Sequence, residues 1–350
     1  MNDQLFQRAE QAGRAEIPIV DVASAKAHGL FAAWVHAFRP VLESHDVLEV
    51  ESEFTFPLLN PETHGTSQTF LEAGKIDGVL RCRRTGVVKV LEHKTTSDSI
   101  DSDSNYWPRL VMDSQASKYI LALNQRNEWV STALYDVVRK PGMRLSNIPI
   151  LDSEGNKIVE DAAGNRIRTK DGKKWRQTGD SELGYVVKTR LEGFDELANR
   201  VYSEVSAYPQ DYFAQKEIPR SDTDLVEYMN DAWSLSQQIL WFRRKNLWPR
   251  NPSACTAFGT CEFFDLCAGR ATVDGIRFAE SSSHKELTLK EGEKQLLTNS
   301  RLSALRKCAR YHFLRYEQPT ERVGDQEEAL KLGTHFHQAA DVFLRHFISK

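Results

Sequence analysis

The sequence predicts an α/β fold, a central mixed β-sheet flanked by helices, and three observations carry that prediction. Residues 47–58 alternate with period two. Residues 73–83 and 87–95 are strand-like and meet at Arg84-Thr85-Gly86, a short glycine-containing hairpin connection. A helically patterned segment, 110–127, then precedes a β-branched and aromatic run at 132–138.

The elements follow in chain order. Residues 1–45 read as helical, with Ala, Leu, Phe, Trp and Val recurring at helical spacing between Ala23 and Phe38. In 47–58, Leu48, Val50, Phe54 and Phe56 are expected on one face and Glu49, Glu51 and Glu53 on the other. The Pro/Asn/Gly-rich stretch NPETHGTSQ is a loop before the hairpin. Residues 144–186 are rich in Gly, Asp, Lys and Asn and read as an insertion of short hairpins or loops. Helices are expected at 191–208, 223–245, 300–316 and 327–347, and 269–296 is a polar linker. No internal repeat is apparent. The expected division is 1–268 as the main domain and 297–350 as helices that complete the same fold.

Composition narrows the class. The chain has 350 residues, 40% hydrophobic and 27% charged, enough for a proper core. No apolar run approaches the roughly 18–20 residues that span a bilayer, and the first residues lack the apolar stretch of a signal peptide. A cytoplasmic, non-membrane protein is the default expectation. With a net charge of −3, nucleic-acid binding would need a local basic surface rather than a global field. There is no G-x-x-x-x-G-K-[ST] loop, so no ATP-driven motor is expected.

The chemistry-bearing stretch is GKIDGVLRCRRTGVVKVLEHKTTS. Asp77 lies on one strand of the hairpin and Glu92, His93 and Lys94 on the next. Glu92 and Lys94 are two apart and leave the same face. Two carboxylates converging near a backbone carbonyl make a hard-oxygen site for Mg²⁺ or Mn²⁺. A lysine alongside can orient a water or neutralise charge on a phosphate. Taken alone, the pattern is equally that of an exposed charged hairpin.

D-x14-E-x-K after Gly-x-x-Asp resembles the PD-(D/E)XK nuclease core. Gln115 and Tyr119, one helical turn apart, resemble the Q-x-x-x-Y motif of its RecB-like branch, and YDVVRKP at 135–141 resembles a phage and prophage subgroup. The resemblance implies a restriction-endonuclease-like core and a DNA exonuclease acting in repair or recombination, with a helicase or recombination protein as partner. Asp77, Glu92 and the His93 carbonyl would hold the metal, Lys94 would assist catalysis, and Gln115 and Tyr119 would sit beside the site. Glu51 is a possible extra acid.

Cys255, Cys261 and Cys267 stand at C-x5-C-x5-C, thiolate ligands suited to an iron–sulfur cluster or Zn²⁺. The resemblance implies a [4Fe–4S] cluster, although the first interval is longer than the family's C-x2-C-x5-C. Its fourth ligand would be Cys308, in a stretch similar to the family's opening helix. LGTHFHQAADVFL is similar to the family's G-x-x-x-H helix and gives Gly333 and the metal ligand His337; His335 fits the spacing less well. An inert thiol at Cys308 and an ordinary core or surface histidine at 337 are the plain alternatives, and Cys82, mid-strand and alone, reads as structural. The motifs the family places first stand last here. The chain is either circularly permuted or a join between two copies, and exchange of the C-terminal helices between subunits is a further expectation.

Arg243, Arg244, Lys245 and Arg250, with Trp248 among them to stack on a base, are candidate DNA contacts. Lys170, Lys173, Lys174 and Arg176 in the insertion are others, and all are equally compatible with solvated surface. The rival readings are a non-catalytic DNA-binding or assembly module of the same fold, and a nuclease acting on RNA.

Overall fold

A computed structural model describes residues 2–126, 128–257, 259–285, 287–288, 292, 294–324 and 328–348. Asn127 and Glu327, the terminal residues of two expected helices, lie outside them, as do Glu286, Leu289, Lys290, Glu291 and Glu293 of the expected linker.

The chain opens with α1 (Asp3–Ala15) and α2 (Val22–Ser44). Asp21 caps α2 by accepting from the Ser24 amide, and the Asp21 amide in turn donates to Ser24 Oγ. β1 (His45–Leu59), β2 (Thr66–Cys82) and β3 (Val88–Thr96) then form an antiparallel meander. The β2–β3 turn closes at Gly86, whose φ of 72° suits glycine. α3 (Tyr106–Val111) and α4 (Ser114–Asn124) precede β4 (Thr132–Arg139), which runs parallel to β3. The single helix expected at 110–127 is therefore two. The break falls at Asp113, whose carboxylate accepts from the Gln115 amide and starts α4 afresh.

The insertion carries β5 (Asn147–Pro149), β6 (Val159–Glu160), β7 (Val186–Val187) and β8 (Thr189–Leu191), paired as β5–β8 and β6–β7. It also corrects the expectation of no repeat. Asp152 and Asp161 each open a D-x-x-G-N turn. In both, the aspartate accepts from the amides two and four residues on, and the glycine takes a φ above 80°. Nine residues is too short a period, with too few identities, to stand out from turn-rich composition.

After α5 (Phe194–Ala207), β9 (Phe213–Pro219) covers the outer edge of β4 in antiparallel register. The sequence carries no strand signal there, because Gln215, Lys216 and Glu217 interrupt any apolar alternation. α6 (Asp222–Lys245) leads to the cysteine segment with its short α7 (Phe264–Cys267). The expected linker holds β10 (Phe278–Glu280) and β11 (Gln295–Leu297). β11 joins β2 in parallel, and β10 pairs with β12 (Thr320–Arg322). The helix expected at 300–316 is broken into α8 (Asn299–Lys307) and α9 (Ala309–His312) by Cys308, which is extended. The chain ends in α10 (Glu328–Arg345).

The result is a six-stranded mixed sheet in the order β1-β2-β3-β4-β9, with β11 on β2 and helices on both faces. On one face α1, α2, α5 and α10 close the largest core. Phe31 and Trp34 of α2 meet Phe336 and Phe343 of α10 with ring centroids 5.4–6.4 Å apart. Each such buried side chain contributes about 1.5–3 kcal/mol, so α10 is bound to the chain's own first helices. On the other face α3 and α4 cover the sheet.

β1 corrects the expected alternation. Val47 and Val50 enter the α2 core, whereas Leu48, Phe54 and Phe56 face the α3–α4 core. A register shift between Val47 and Glu49 and a left-handed Glu51 (φ 52°) reverse the pleat twice. Among the described residues no helix is long and apolar enough to cross a membrane.

Candidate active site

The β2–β3 ladder pairs Gly78 with Leu91 and goes no further, so the next two residues, Asp77 and Glu92, face each other where the strands begin to part. There the Asp77 carboxylate accepts from the His93 amide at 2.8 Å. Glu92 and Lys94 point to the α3–α4 side. Lys94 Nζ lies 2.7 Å from Glu92 Oε1 and 2.7 Å from Gln115 Oε1, and Gln115 Nε2 donates to the Tyr119 hydroxyl at 2.8 Å. The two-residue spacing on the strand and the four-residue spacing on the helix thus bring four polar side chains into one chain of contacts.

Glu92 is 2% exposed, and its second oxygen, Oε2, is buried without a hydrogen-bond partner among the described residues. Burial pushes its pKa up to about 8, and the facing Asp77 charge pushes the same way. Burial works against the charge on Lys94, but Glu92 and Asp113 outweigh it and hold the ammonium above the ordinary lysine value. Asp113, which is not among the residues expected at the site, is 3.7 Å from Lys94 and accepts from the Tyr135 hydroxyl. An N-cap aspartate beside the Q-x-x-x-Y helix was its only sequence signal.

His93 points to the opposite face. Its Nδ1 is 2.8 Å from Asp136, a fully buried carboxylate that also accepts from Trp34 Nε1 and Gln215 Nε2. Burial opposes protonation of His93, and Asp136 more than offsets it, so its pKa is raised. Asp136 was not singled out from sequence because it lies inside the hydrophobic run of β4.

His337 reaches the same region from α10, its ring 6.2 Å from that of His93. Burial lowers its pKa to about 4 despite the nearby Asp77, and it makes no hydrogen bond among the described residues. Gly333, one turn earlier, is where α10 crosses the end of β3: a Cβ there would sit 3.0 Å from Thr95 Oγ1. A cavity of about 480 Å³ opens beside these residues, lined among others by Glu51, Lys75, Lys140, His337 and Asp341. Glu51, left-handed and ion-paired with Lys75, is turned into it; burial raises its pKa, and Asp77 and Asp341 add to the effect.

As the side chains stand, no three His, Cys, Asp or Glu residues among those described are gathered tightly enough to hold a metal ion. Asp77 is turned to the His93 amide and Glu92 to Lys94. The donor chemistry nevertheless suits a hard cation: an orphaned buried carboxylate oxygen, a second carboxylate facing it, and an unprotonated histidine.

No family model matches the chain, and no curated protein matches it.

The four predicted cysteines line one small cavity between the α7 segment and the α8–α9 break, together with Arg250, Lys307 and Tyr311. They form no disulfide and are not drawn into a ligating group. The Asn251 amide donates to Cys308 Sγ at 3.3 Å, and Asn251 Nδ2 donates to the Lys307 carbonyl, tying the cysteine segment to the broken helix.

The basic stretch before the cysteines needs correction. Trp248 is 5% exposed and stacks on His312 with centroids 5.5 Å apart, so it is closed to a base. Arg243 is committed to Glu317 and Gln295. Both face inward because the π-helical turn at Phe313–Glu317 packs onto the end of α6.

Proposed function

We propose that this chain is a Mg²⁺- or Mn²⁺-dependent deoxyribonuclease of the RecB-like PD-(D/E)XK type, with its motifs in circularly permuted order. The observation that carries the reading is the buried oxygen of Glu92 beside Asp77, without a partner among the described residues, with a lysine ammonium on the other oxygen. A buried carboxylate with a second acid facing it is costly unless a cation compensates. Lys94 supplies one positive charge, and a divalent ion at Asp77, Glu92, the His93 carbonyl and His337 would supply the rest.

When bound, that ion would polarise a phosphate oxygen and lower the pKa of a water. The chain's own residues do the positioning. Glu92 and Asp113 keep Lys94 charged, so that its ammonium can stabilise negative charge developing on a phosphate. Gln115 fixes the lysine and is itself fixed by Tyr119. Asp136 anchors His93, whose amide holds Asp77. His337 stays neutral across the physiological range and keeps a lone pair for a cation. The cysteine cavity, lined by four thiols and by no His, Asp or Glu among the described residues, suits a [4Fe–4S] cluster, or structural Zn²⁺ in the alternative.

The test is cleavage of end-labelled DNA with Mg²⁺ or Mn²⁺ by the wild-type chain, Glu92→Ala and Lys94→Ala. The reading expects metal-dependent cleavage that falls about a hundredfold or more in each variant. Equal cleavage by all three would remove it, and a wild type that binds but never cuts would favour a non-catalytic DNA-binding module.

A further inference from the structure

The insertion is an arm with a basic tip. Residues 166–176 hold six cations (Arg166, Arg168, Lys170, Lys173, Lys174 and Arg176) against Asp171 alone, in a chain whose net charge is −3. Two of the six are neutralised within the arm, Arg166 by Asp152 at 2.5 Å and Arg176 by Asp180 at 2.8 Å. Arg168, Lys170, Lys173 and Lys174 are exposed, and none is in an ion pair among the described residues.

The tip is ordered by its own chemistry. The Thr169 amide donates to the Lys174 carbonyl and the Gly172 amide to the Thr169 carbonyl, with Gly172 left-handed at φ 69°. The Asp171 carboxylate accepts from the Lys173 amide and the Thr169 hydroxyl. The Trp175 ring carries the guanidinium groups of Arg166 and Arg168, each 4.1 Å from its centroid.

The base is fixed as well. Met143 and Leu145 pack on the α2 core, and Glu192 accepts from the Ser146 amide and pairs with Arg200. The arm leaves from the functional end of the sheet. β3 and β4 are parallel, the Lys140 amide donates to the Thr96 carbonyl, and Lys140 lines the cavity beside His337.

We infer that this arm is a clamp for the phosphate backbone of DNA, gripping the polymer through Lys170, Lys173, Lys174 and Arg168 beside the candidate active site. The identity of the polymer rests on the nuclease reading. Unpaired cations on a stiff, anchored hairpin neutralise successive phosphates without reading sequence.

The experiment is fluorescence anisotropy with a fluorescein-labelled DNA duplex and its single strand, titrated with the full chain carrying Glu92→Ala. Adding Lys170→Ala, Lys173→Ala and Lys174→Ala together should weaken binding about tenfold or more and reduce the salt slope by about 2–3. Changing the same lysines to arginine should retain affinity. Unchanged affinity and slope in the alanine variant would overturn the clamp, as would an equal loss in the arginine variant. Cleavage by the chain with Glu92 intact is read in parallel. Cleavage with arm-independent binding removes the clamp and leaves the nuclease; arm-dependent binding without cleavage keeps the clamp and removes the nuclease.

Discussion

Lys94 Nζ sits 2.7 Å from one oxygen of Glu92 while the other oxygen is buried with no partner among the described residues. This half-satisfied carboxylate has a pH signature. Folding raises the Glu92 pKa from 4.5 to about 8, burial being the main cause. Between those values the folded chain holds a proton that the unfolded chain has released, so stability falls as pH rises through the window. Glu92→Gln should therefore be more stable than wild type above pH 8 in chelator, with the advantage vanishing toward pH 4.5. Thermal unfolding across that range checks it; a pH-independent difference would contradict it.

A second prediction concerns the pair Lys118–Glu72, 2.7 Å apart and almost completely buried. Lys118 also donates to the Leu297 carbonyl at 2.6 Å, so one ammonium joins α4, β2 and β11. Burial lowers its pKa even against Glu72. Lys118→Met should cost about 3–5 kcal/mol in urea unfolding by stranding the Glu72 charge, and adding Glu72→Leu should recover most of that. If the single variant is as stable as wild type, the anchor is not there.

The close crossing of α10 over β3 gives a third. Gly333→Ala would place its methyl 3.0 Å from Thr95 Oγ1, so either the Thr95 hydroxyl or the helix bearing His337 has to give by a few tenths of an ångström. Cleavage should fall about ten- to a hundredfold for a stability loss of about 1–3 kcal/mol. Full activity would show that the crossing has room to spare.

Much of this arrangement was legible in the sequence. The hairpin that presents Asp77 to Glu92, and the spacing that joins Gln115 to Tyr119, follow from local periodicity and turn chemistry. Cys308 and His337 came from motif resemblance across nearly the whole chain, not from any local rule. What sequence missed is set by tertiary context. Asp136 is a charge in an apolar strand, and its role appears only when Trp34, His93 and Gln215 converge on it. Trp248 looked available because its cationic neighbours are polar, yet Phe242, His312 and Phe313 enclose it. β9 and β11 are short and weakly patterned; one borrows β4 and the other β2 for its hydrogen bonds.

For the cysteine cavity, protein purified without oxygen should be brown, with iron and acid-labile sulfide in equal amounts, and Cys308→Ser should lose both together with thermal stability. Colourless protein with bound zinc would select the alternative ion; neither metal would leave the four thiols as packing.

The carboxylates of Asp77 and Glu92 are proposed to share one divalent cation. Mn²⁺ binding to the purified chain, followed by the loss of the free-ion electron paramagnetic resonance signal, tests it most directly. A saturable site in wild type that weakens sharply in both Asp77→Ala and Glu92→Ala is the predicted result. Identical isotherms for all three proteins, or no saturable binding in any, would contradict it.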